Sequence, residues 1–220
     1  MGIEKQYDTG STAKKYAEAS IENLEKDAGR KFIYEQISAL PRTSRILDVG
    51  CGSGIDLSAY SKMGFTNICG IDPSSKFIEE AKKVLDESVD LKEGTFECIP
   101  YEDGSFDVVT SRFALHYSKD IEKSLKEVGR VLKSGGKFIT IVSNPTADAE
   151  EQKDANGNIT ITLFKGSVTI TFPQHSLEEY FGEEFLNNFT LETKYEYCGD
   201  EQDRAISSIP NALAISATKK

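Results

Sequence analysis

Residues Arg45–Gly54 read RILDVGCGSG, and this stretch decides the fold class. It contains a short apolar run, Ile46–Val49, that is interrupted by one acid and is too brief for a helix, so it predicts a buried strand. Alternating glycines follow, and then Ile55, Ala59 and Met63 recur at helical spacing. The stretch therefore predicts a strand, a tight glycine turn and a helix. Glycines in such a turn let the backbone approach a bound group and leave the first helical N–H groups available to ligand oxygens.

A second strand with an acid at its end lies downstream. Residues 67–73 read NICGIDP. The number of residues between Gly50 and Asp72 is about that at which an acid on the neighbouring strand reaches a nucleoside ribose. A dinucleotide fingerprint requires G-x-G-x-x-G. Gly50 and Gly52 fit its first two positions, but the third position holds Ile55. The turn therefore favours a nucleoside-containing cofactor other than NAD.

These motifs resemble those of the class I S-adenosylmethionine-dependent methyltransferases. The D-x-G-x-G-x-G turn at Asp48–Gly54, the acid-ending strand at Ile71-Asp72 and the connection LKSGG at Leu132–Gly136 all match that family. The resemblance covers about residues 40–142. It implies that the chain binds S-adenosyl-L-methionine and releases S-adenosyl-L-homocysteine after transferring the methyl group to a small molecule.

The resemblance also implies site residues. The cofactor-binding set is Asp48, Gly50, Cys51, Gly52, Asp72, Pro73, Phe96, Glu97, Ser111 and Arg112. The substrate and lid set is Tyr7, Tyr16, Phe113 and Tyr117, and His116 is the candidate general base because its reference pKa lies near neutrality. His116 could equally be a hydrogen-bonded wall residue, and His175 is expected to be structural or part of the lid. At the adenine, either the Glu97 side chain or the Phe96 backbone could make the contact.

The implied fold is α/β, a Rossmann-like seven-stranded methyltransferase sheet. It is mostly parallel, with an antiparallel C-terminal edge strand, helices on both faces, an N-terminal helical lid and an inserted β-hairpin. We expect one domain over residues 1–220, divided into the lid (1–40), the cofactor-binding core (41–142) and a substrate-side region (143–220). Two runs with period-two alternation predict the hairpin at residues 156–172. We expect it to form part of the substrate pocket near His116, although it could instead extend the sheet edge or mediate a dimer.

Further patterns predict the remaining elements. We expect the third strand at 89–97, the fourth at 106–110 and the fifth at 137–142. Ser74 and Ser118 are candidate N-caps of the helices that follow them, and residues 176–185 predict another helix. The final strands are expected at 190–197 and 212–218.

Composition limits the partners. The formal net charge of −10 argues against nucleic acid as a partner, because affinity for the phosphate backbone comes from clustered Lys and Arg. The four cysteines form no C-x-x-C pair and there are only two histidines, so we expect no metal site. Free thiols in predicted strands and the lack of a signal-like or membrane-length apolar run predict a cytoplasmic protein without membrane contact. The assembly is expected to be a monomer or homodimer.

Three functional classes stay open at this point. The first is a methyltransferase for an O, N or C nucleophile of a small molecule. The second is an NAD-dependent oxidoreductase, and the third is a non-catalytic S-adenosylmethionine-binding partner protein. The sequence SRFA at residues 111–114, after the fourth strand, does not match the N-P-P-Y-like signature of enzymes that methylate nucleic-acid amino groups.

Overall fold

The computed structural model describes residues 18, 27–149, 151–163, 168–198 and 210–220. Nine strands lie within these ranges. They are β1 (Ile46–Val49), β2 (Ile68–Asp72), β3 (Asp90–Glu93), β4 (Phe106–Arg112), β5 (Leu132–Ser143), β6 (Asn158–Leu163), β7 (Val168–Pro173), β8 (Phe189–Tyr197) and β9 (Ala212–Lys219).

The described helices follow the same chain order. They are α1 (Ala28–Ser38), α2 (Ile55–Lys62), α3 (Ser75–Val84), a 3-10 turn (Leu115–Tyr117), α4 (Ile121–Val131), α5 (Pro145–Asp148), α6 (Leu177–Phe181) and α7 (Glu183–Asn188). Residues 1–17 and 19–26 of the predicted lid, including Tyr7 and Tyr16, lie outside the described residues.

Seven of the strands form one sheet in the order β3-β2-β1-β4-β5-β9-β8. The pairs β2–β3, β1–β2, β1–β4 and β4–β5 are parallel, whereas β9 runs antiparallel to both β5 and β8. The predicted Rossmann-like sheet with an antiparallel C-terminal edge is confirmed. The last strand of the chain, β9, lies one position inside that edge, and β8 occupies the edge itself. Because the chain proceeds outward from β1 in one direction and from β4 in the other, a crevice opens between the carboxyl ends of these two strands.

Helices cover both faces of the sheet, as predicted. One apolar layer joins α1, α2 and α3 to the sheet through residues such as Ile33, Leu57 and Ile78. The opposite layer joins α4, α6 and α7 to the sheet, for example through Leu125 and Phe185. The parallel strands β1 and β2 are buried on both faces, and this explains their mostly apolar sequences, whereas the edge strand β3 is polar and partly exposed.

The hairpin of β6 and β7 forms a separate two-stranded sheet. Its inward side chains Ile159, Ile170 and Phe172 are buried, and Tyr117 packs against them. The exposed side carries threonines whose hydroxyls pair across the strands, as in Thr160 and Thr171 at 2.9 Å. A two-stranded hairpin is marginally stable alone, so contact with the 3-10 turn stabilises it.

Several predicted boundaries are wrong in detail. The N-cap of α4 is Asp120, whose carboxylate accepts a hydrogen bond from the Lys123 amide, rather than Ser118. The predicted helix at 176–185 is two helices that meet at Gly182. The third strand is shorter than expected, and β4 and β5 are both longer. Ser74 caps α3 as predicted.

Candidate functional site

A cavity of about 310 Å³ opens at the carboxyl ends of β1, β2 and β4. Its wall comes from the glycine turn, the end of β2, the loop after β3 and the segment after β4. α1 contributes Arg30 from the side. The volume falls within the roughly 300–1,000 Å³ of small-molecule sites, and the position is the topological switch point of the sheet.

The glycine turn brings bare backbone to this cavity. Gly50, Gly52 and Gly54 all have positive φ angles, of 78°, 52° and 80°. A Cβ on Gly50 would collide with the Cβ of Ala114, whereas a Cβ on Gly52 would meet nothing within 4 Å. Gly54 is the N-cap of α2 and has no side chain with which to cap it. The turn therefore leaves open space above Gly52, as a cradle for a nucleoside-containing cofactor requires.

Asp72 stands beside this cradle at the end of β2. Its carboxylate accepts hydrogen bonds from the Gly52 and Ser74 amides, both at 2.9 Å, and it lines the cavity together with Pro73. The turn is fixed to the same strand because the Gly50 and Cys51 amides both donate to the Ile71 carbonyl. An acid held this way presents oxygen acceptors at the cavity wall. The glycine turn and the Asp72 carboxylate together suit S-adenosylmethionine, which would pack against the bare backbone and direct its ribose toward the acid.

The loop after β3 forms the next part of the wall. Phe96 and Glu97 line the cavity, and Phe96 is buried. The Glu97 carboxylate accepts hydrogen bonds from the Ser118 hydroxyl at 2.8 Å and from the Lys119 amide at 3.0 Å. Glu97 thus joins this loop to the segment after the 3-10 turn.

A buried cluster of charges occupies the α1 side of the cavity. Arg30, which is 2% exposed, donates to the Asp56 carboxylate at 2.8 Å, and the Tyr34 hydroxyl donates to the same carboxylate at 2.6 Å. Arg112 approaches Asp56 at 3.5 Å and Asp27 at 3.1 Å. Although burial alone would raise the pKa of Asp56, the Arg112 and Arg30 guanidinium groups hold that pKa below its usual value. Asp56 is therefore a carboxylate that orients both arginines.

Aromatic residues form the wall after β4. Phe113, Ala114 and Tyr117 line the cavity, and the Arg112 guanidinium lies 5.5 Å from the centre of the Phe113 ring. Phe113 has a φ angle of 52°, a left-handed conformation that is costly for a bulky residue, and its amide donates to the Ile141 carbonyl. Strained residues of this kind concentrate at functional sites.

His116 does not line this cavity. Its ring is buried against Phe172 at 4.6 Å and Tyr117 at 4.5 Å, and Nδ1 lies 3.5 Å from the Ser143 amide. Burial, with a smaller contribution from His175, lowers the pKa of His116 to about 3. The imidazole therefore stays neutral near pH 7, in the aromatic layer between the cavity wall and the hairpin.

Two other predicted cofactor residues also lie off the cavity wall. The buried Asp48 carboxylate accepts a hydrogen bond from the Thr110 hydroxyl at 2.9 Å, across the pair β1–β4. Burial, followed by the charge of Asp56, raises the pKa of Asp48 to about 7. Ser111 follows Thr110 in β4 and therefore points to the opposite face of the sheet, where its buried hydroxyl has no hydrogen-bond partner among the described residues.

The cavity does collect most of the predicted set. It brings together Gly50, Cys51, Gly52, Asp72, Pro73, Phe96, Glu97, Arg112, Phe113 and Tyr117. Sequence reasoning missed Arg30, Asp56, Ser118 and Lys119. Arg30 could have been found, because it extends the apolar helical stripe of Ile33 and Ile37, a position where an isolated charge is costly.

The described ranges contain no group of three side chains that could hold a metal ion. Across those same ranges, no helix has the length and apolar character needed to cross a bilayer.

Comparisons with known proteins relate the core of the chain to methyltransferases. Residues 47–140 match the model of the family described as a methyltransferase domain. The chain is 34% identical over 168 residues to a demethylmenaquinone methyltransferase of Lactococcus lactis, covering 70% of this chain and 64% of that protein. It is 32% identical over 122 residues to a sarcosine/dimethylglycine N-methyltransferase of Halorhodospira halochloris, covering 51% of this chain and 43% of that protein. The chain thus spans less than two thirds of the length of these curated relatives.

A solved structure extends the agreement to the whole fold. The crystal structure of a candidate S-adenosylmethionine-dependent methyltransferase from Listeria monocytogenes superposes with a TM-score of 0.70 at 25% identity, covering 88% of this chain and 99% of that one. The domain match and the fold point to the same conclusion. Residues 47–140 match the methyltransferase-domain family, and the chain has the fold of the class I S-adenosylmethionine-dependent methyltransferases.

Proposed function

We propose that this protein transfers a methyl group from S-adenosyl-L-methionine to an O, N or C nucleophile of a small molecule. One observation carries the proposal: the open space above Gly52 lies beside the Asp72 carboxylate, at the switch point of the sheet. When bound, the cofactor supplies a methyl group that its sulfonium already makes electrophilic.

The residues on the wall divide the cofactor between them. The backbone of the turn at Gly50–Gly52 packs against the cofactor, and the Asp72 carboxylate accepts hydrogen bonds from the ribose hydroxyls. Phe96 and Glu97 line the adenine side, with Glu97 also holding the loop. Arg112 belongs with Arg30 at the opposite side of the cavity, where a guanidinium suits the amino-acid carboxylate of the cofactor.

The acceptor belongs beside Phe113 and Tyr117. An apolar wall there excludes water and orients the acceptor, and well-oriented reactants gain roughly 7–11 kcal/mol from proximity alone. His116 has no part in proton transfer in this proposal, because it lies off the wall and its lowered pKa makes the imidazole a weak base. A hydroxyl acceptor must then lose its proton to water before it attacks, whereas a neutral amine attacks through its lone pair and releases a proton to water afterwards. The proposal therefore favours acceptors that ionise readily or carry a neutral amine.

The named relatives support a small acceptor. One is named for demethylmenaquinone and the other for sarcosine and dimethylglycine. We extend the same class, a small organic molecule, to this chain. The buried thiols of Cys51 and Cys69 support the cytoplasmic location expected from the sequence.

The test is methyl transfer itself. Purified protein is incubated with labelled S-adenosylmethionine and panels of phenols, quinols and amines, and formation of S-adenosylhomocysteine is measured. We expect turnover with at least one panel and none in the Gly52→Val variant. If S-adenosylmethionine binds but no acceptor in a broad metabolite extract is methylated, the protein is a cofactor-binding partner rather than an enzyme.

A further inference from the structure

We infer that His175 is a positioning residue for the cofactor cavity, which it does not itself touch. This inference rests on the proposed function, because it concerns the site where the cofactor binds. His175 follows β7 by two residues and precedes α6, so it connects the end of the hairpin to the helical layer.

The His175 ring is buried between two hydrogen-bond acceptors. Nε2 lies 3.0 Å from the Ser118 carbonyl oxygen, and Nδ1 lies 3.3 Å from the Glu179 carboxylate. Because a carbonyl can only accept, Nε2 must carry a proton and donate it to this bond. The Glu179 carboxylate also accepts a hydrogen bond from the Ser176 amide at the start of α6, which fixes the carboxylate beside the ring.

Ser118 connects the His175 ring to the cavity wall. Its hydroxyl donates to Glu97 at 2.8 Å and accepts from the Asp120 amide at 3.0 Å. The next amide, that of Lys119, donates to the same Glu97 oxygen. Ser118, Lys119 and Glu97 all line the cavity, whereas His175 does not. The chain of bonds from His175 to Glu97 therefore sets the position of one cavity wall from outside the cavity.

The pairing also explains why a polar residue is buried there. His175 is 7% exposed, and the carbonyl that it meets belongs to Ser118, which is also buried. Loss of the imidazole would leave that buried carbonyl without this donor, and an unpaired buried group is costly. The segment Ser118–Lys119 would then shift, and the Glu97 carboxylate would shift with it.

The test compares variants by their affinity for S-adenosylhomocysteine, measured by calorimetry together with thermal unfolding. We expect His175→Leu to weaken binding about tenfold. His175→Gln should restore most of the affinity, because the Gln amide nitrogen can donate at the position of Nε2. Ser176→Ala is the matched control, since it removes the hydroxyl that caps the same helix but keeps the backbone amide that binds the Glu179 carboxylate and leaves the bond to Ser118 in place. It should lower stability without changing affinity.

A double-mutant cycle with Glu97→Gln completes the test. If both residues act through Ser118, the combined variant should lose less affinity than the sum of the two single losses. Additive losses, wild-type affinity in His175→Leu, or an equal affinity loss in Ser176→Ala would each overturn the inference. If His175→Leu does not fold, His175→Asn replaces it, because the shorter amide reaches only the Nδ1 position; equal affinities of the Asn and Gln variants would then overturn the inference. Failure of the wild-type protein to bind S-adenosylhomocysteine would instead contradict the proposed function.

Discussion

The Asp72 carboxylate accepts a hydrogen bond of 2.9 Å from the Gly52 amide, and this bond ties the end of β2 to the tip of the glycine turn. The other carboxylate oxygen accepts from the Ser74 amide next to the start of α3. One side chain thus connects the two βα units whose ends form the cavity. The acid and the turn form a single structural unit, so a substitution at either should change the affinity for a ligand that contacts both.

The glycines of the turn should respond differently to substitution. Gly50→Ala places a methyl group into Ala114 and should destabilise the fold, because overpacking costs typically 1–3 kcal/mol in addition to the unfavourable φ angle. Gly52→Val also carries the strain of a φ angle of 52°, but its side chain meets no atom within 4 Å, so the protein should fold with reduced stability and lose S-adenosylhomocysteine binding. Thermal unfolding and calorimetry on both variants separate the two effects. Normal binding by folded Gly52→Val would mean that the cavity above the turn is not the cofactor site.

His116 predicts a pH-dependent contribution to stability. The folded pKa of about 3 lies below the ordinary value of about 6.5. Between pH 3 and pH 6.5 His116 is therefore protonated in the unfolded chain and neutral in the folded chain. Stability is therefore retained above about pH 6.5 and lost as pH falls, by up to about 1.4 kcal/mol per pH unit. The raised pKa of Asp148, about 6, acts in the opposite direction, but it is common to wild type and variant.

The measurement is urea unfolding of wild type and His116→Gln at pH 7.5 and pH 5. The variant should gain stability relative to wild type at the lower pH. A stability difference that does not change with pH would show that His116 is not buried in its neutral form. Methyl transfer by the variant should keep the pH profile of the wild type, because the imidazole is not the base.

The turn, the sheet and the hairpin could be predicted from sequence because local patterns encode them. Three glycines after a short apolar strand indicate a tight turn, and Asp72 is recognisable from the sequence as the acid at the end of the next strand. The orientation of Asp48 could not be predicted, because it depends on which residue of β4 lies opposite in the register, and that residue is Thr110. The neutral state of His116 likewise depends on Phe172, which lies more than fifty residues away in the chain.

The charge cluster was the main omission. Arg30, Asp56 and Arg112 come from α1, α2 and β4, and no local pattern states that these three elements converge. Isolated charges near apolar stripes are the only signal in the sequence. The partner that neutralises each charge becomes evident only from the tertiary structure.

Phe113 offers a matched pair of substitutions. Gly adopts a φ angle of 52° without strain and Ala does not, so Phe113→Gly should be more stable than Phe113→Ala by about 1 kcal/mol. Both variants lack the ring, so both should raise the KM for the acceptor to a similar extent while S-adenosylhomocysteine affinity stays near wild type. Equal unfolding midpoints would argue against strain at this position. An unchanged acceptor KM in both variants would remove the ring from the acceptor site.

The hairpin is predicted to serve the acceptor side. Its buried face supports Tyr117 and His116 through Phe172, at ring distances of 5.7 and 4.6 Å. Replacing residues 157–171 with a short Gly-Ser linker should abolish methyl transfer while S-adenosylmethionine binding survives, because the described residues of this range do not line the cavity and His175 is retained. Thr160→Ala, on the exposed face, is the control and should behave like wild type. Normal turnover by the truncated protein would assign the hairpin to an oligomer contact or a sheet edge.

Calorimetric titration of S-adenosylhomocysteine into wild type and Asp72→Ala tests the central claim most directly. The wild type should bind one molecule per chain and should not bind NAD. Asp72→Ala should lose about 1.5–3 kcal/mol of binding free energy, the scale of hydrogen bonds to a charged group, or about 10- to 150-fold in affinity. A folded wild-type protein that does not bind S-adenosylhomocysteine, or an Asp72→Ala variant that binds it as tightly as wild type, would contradict the account.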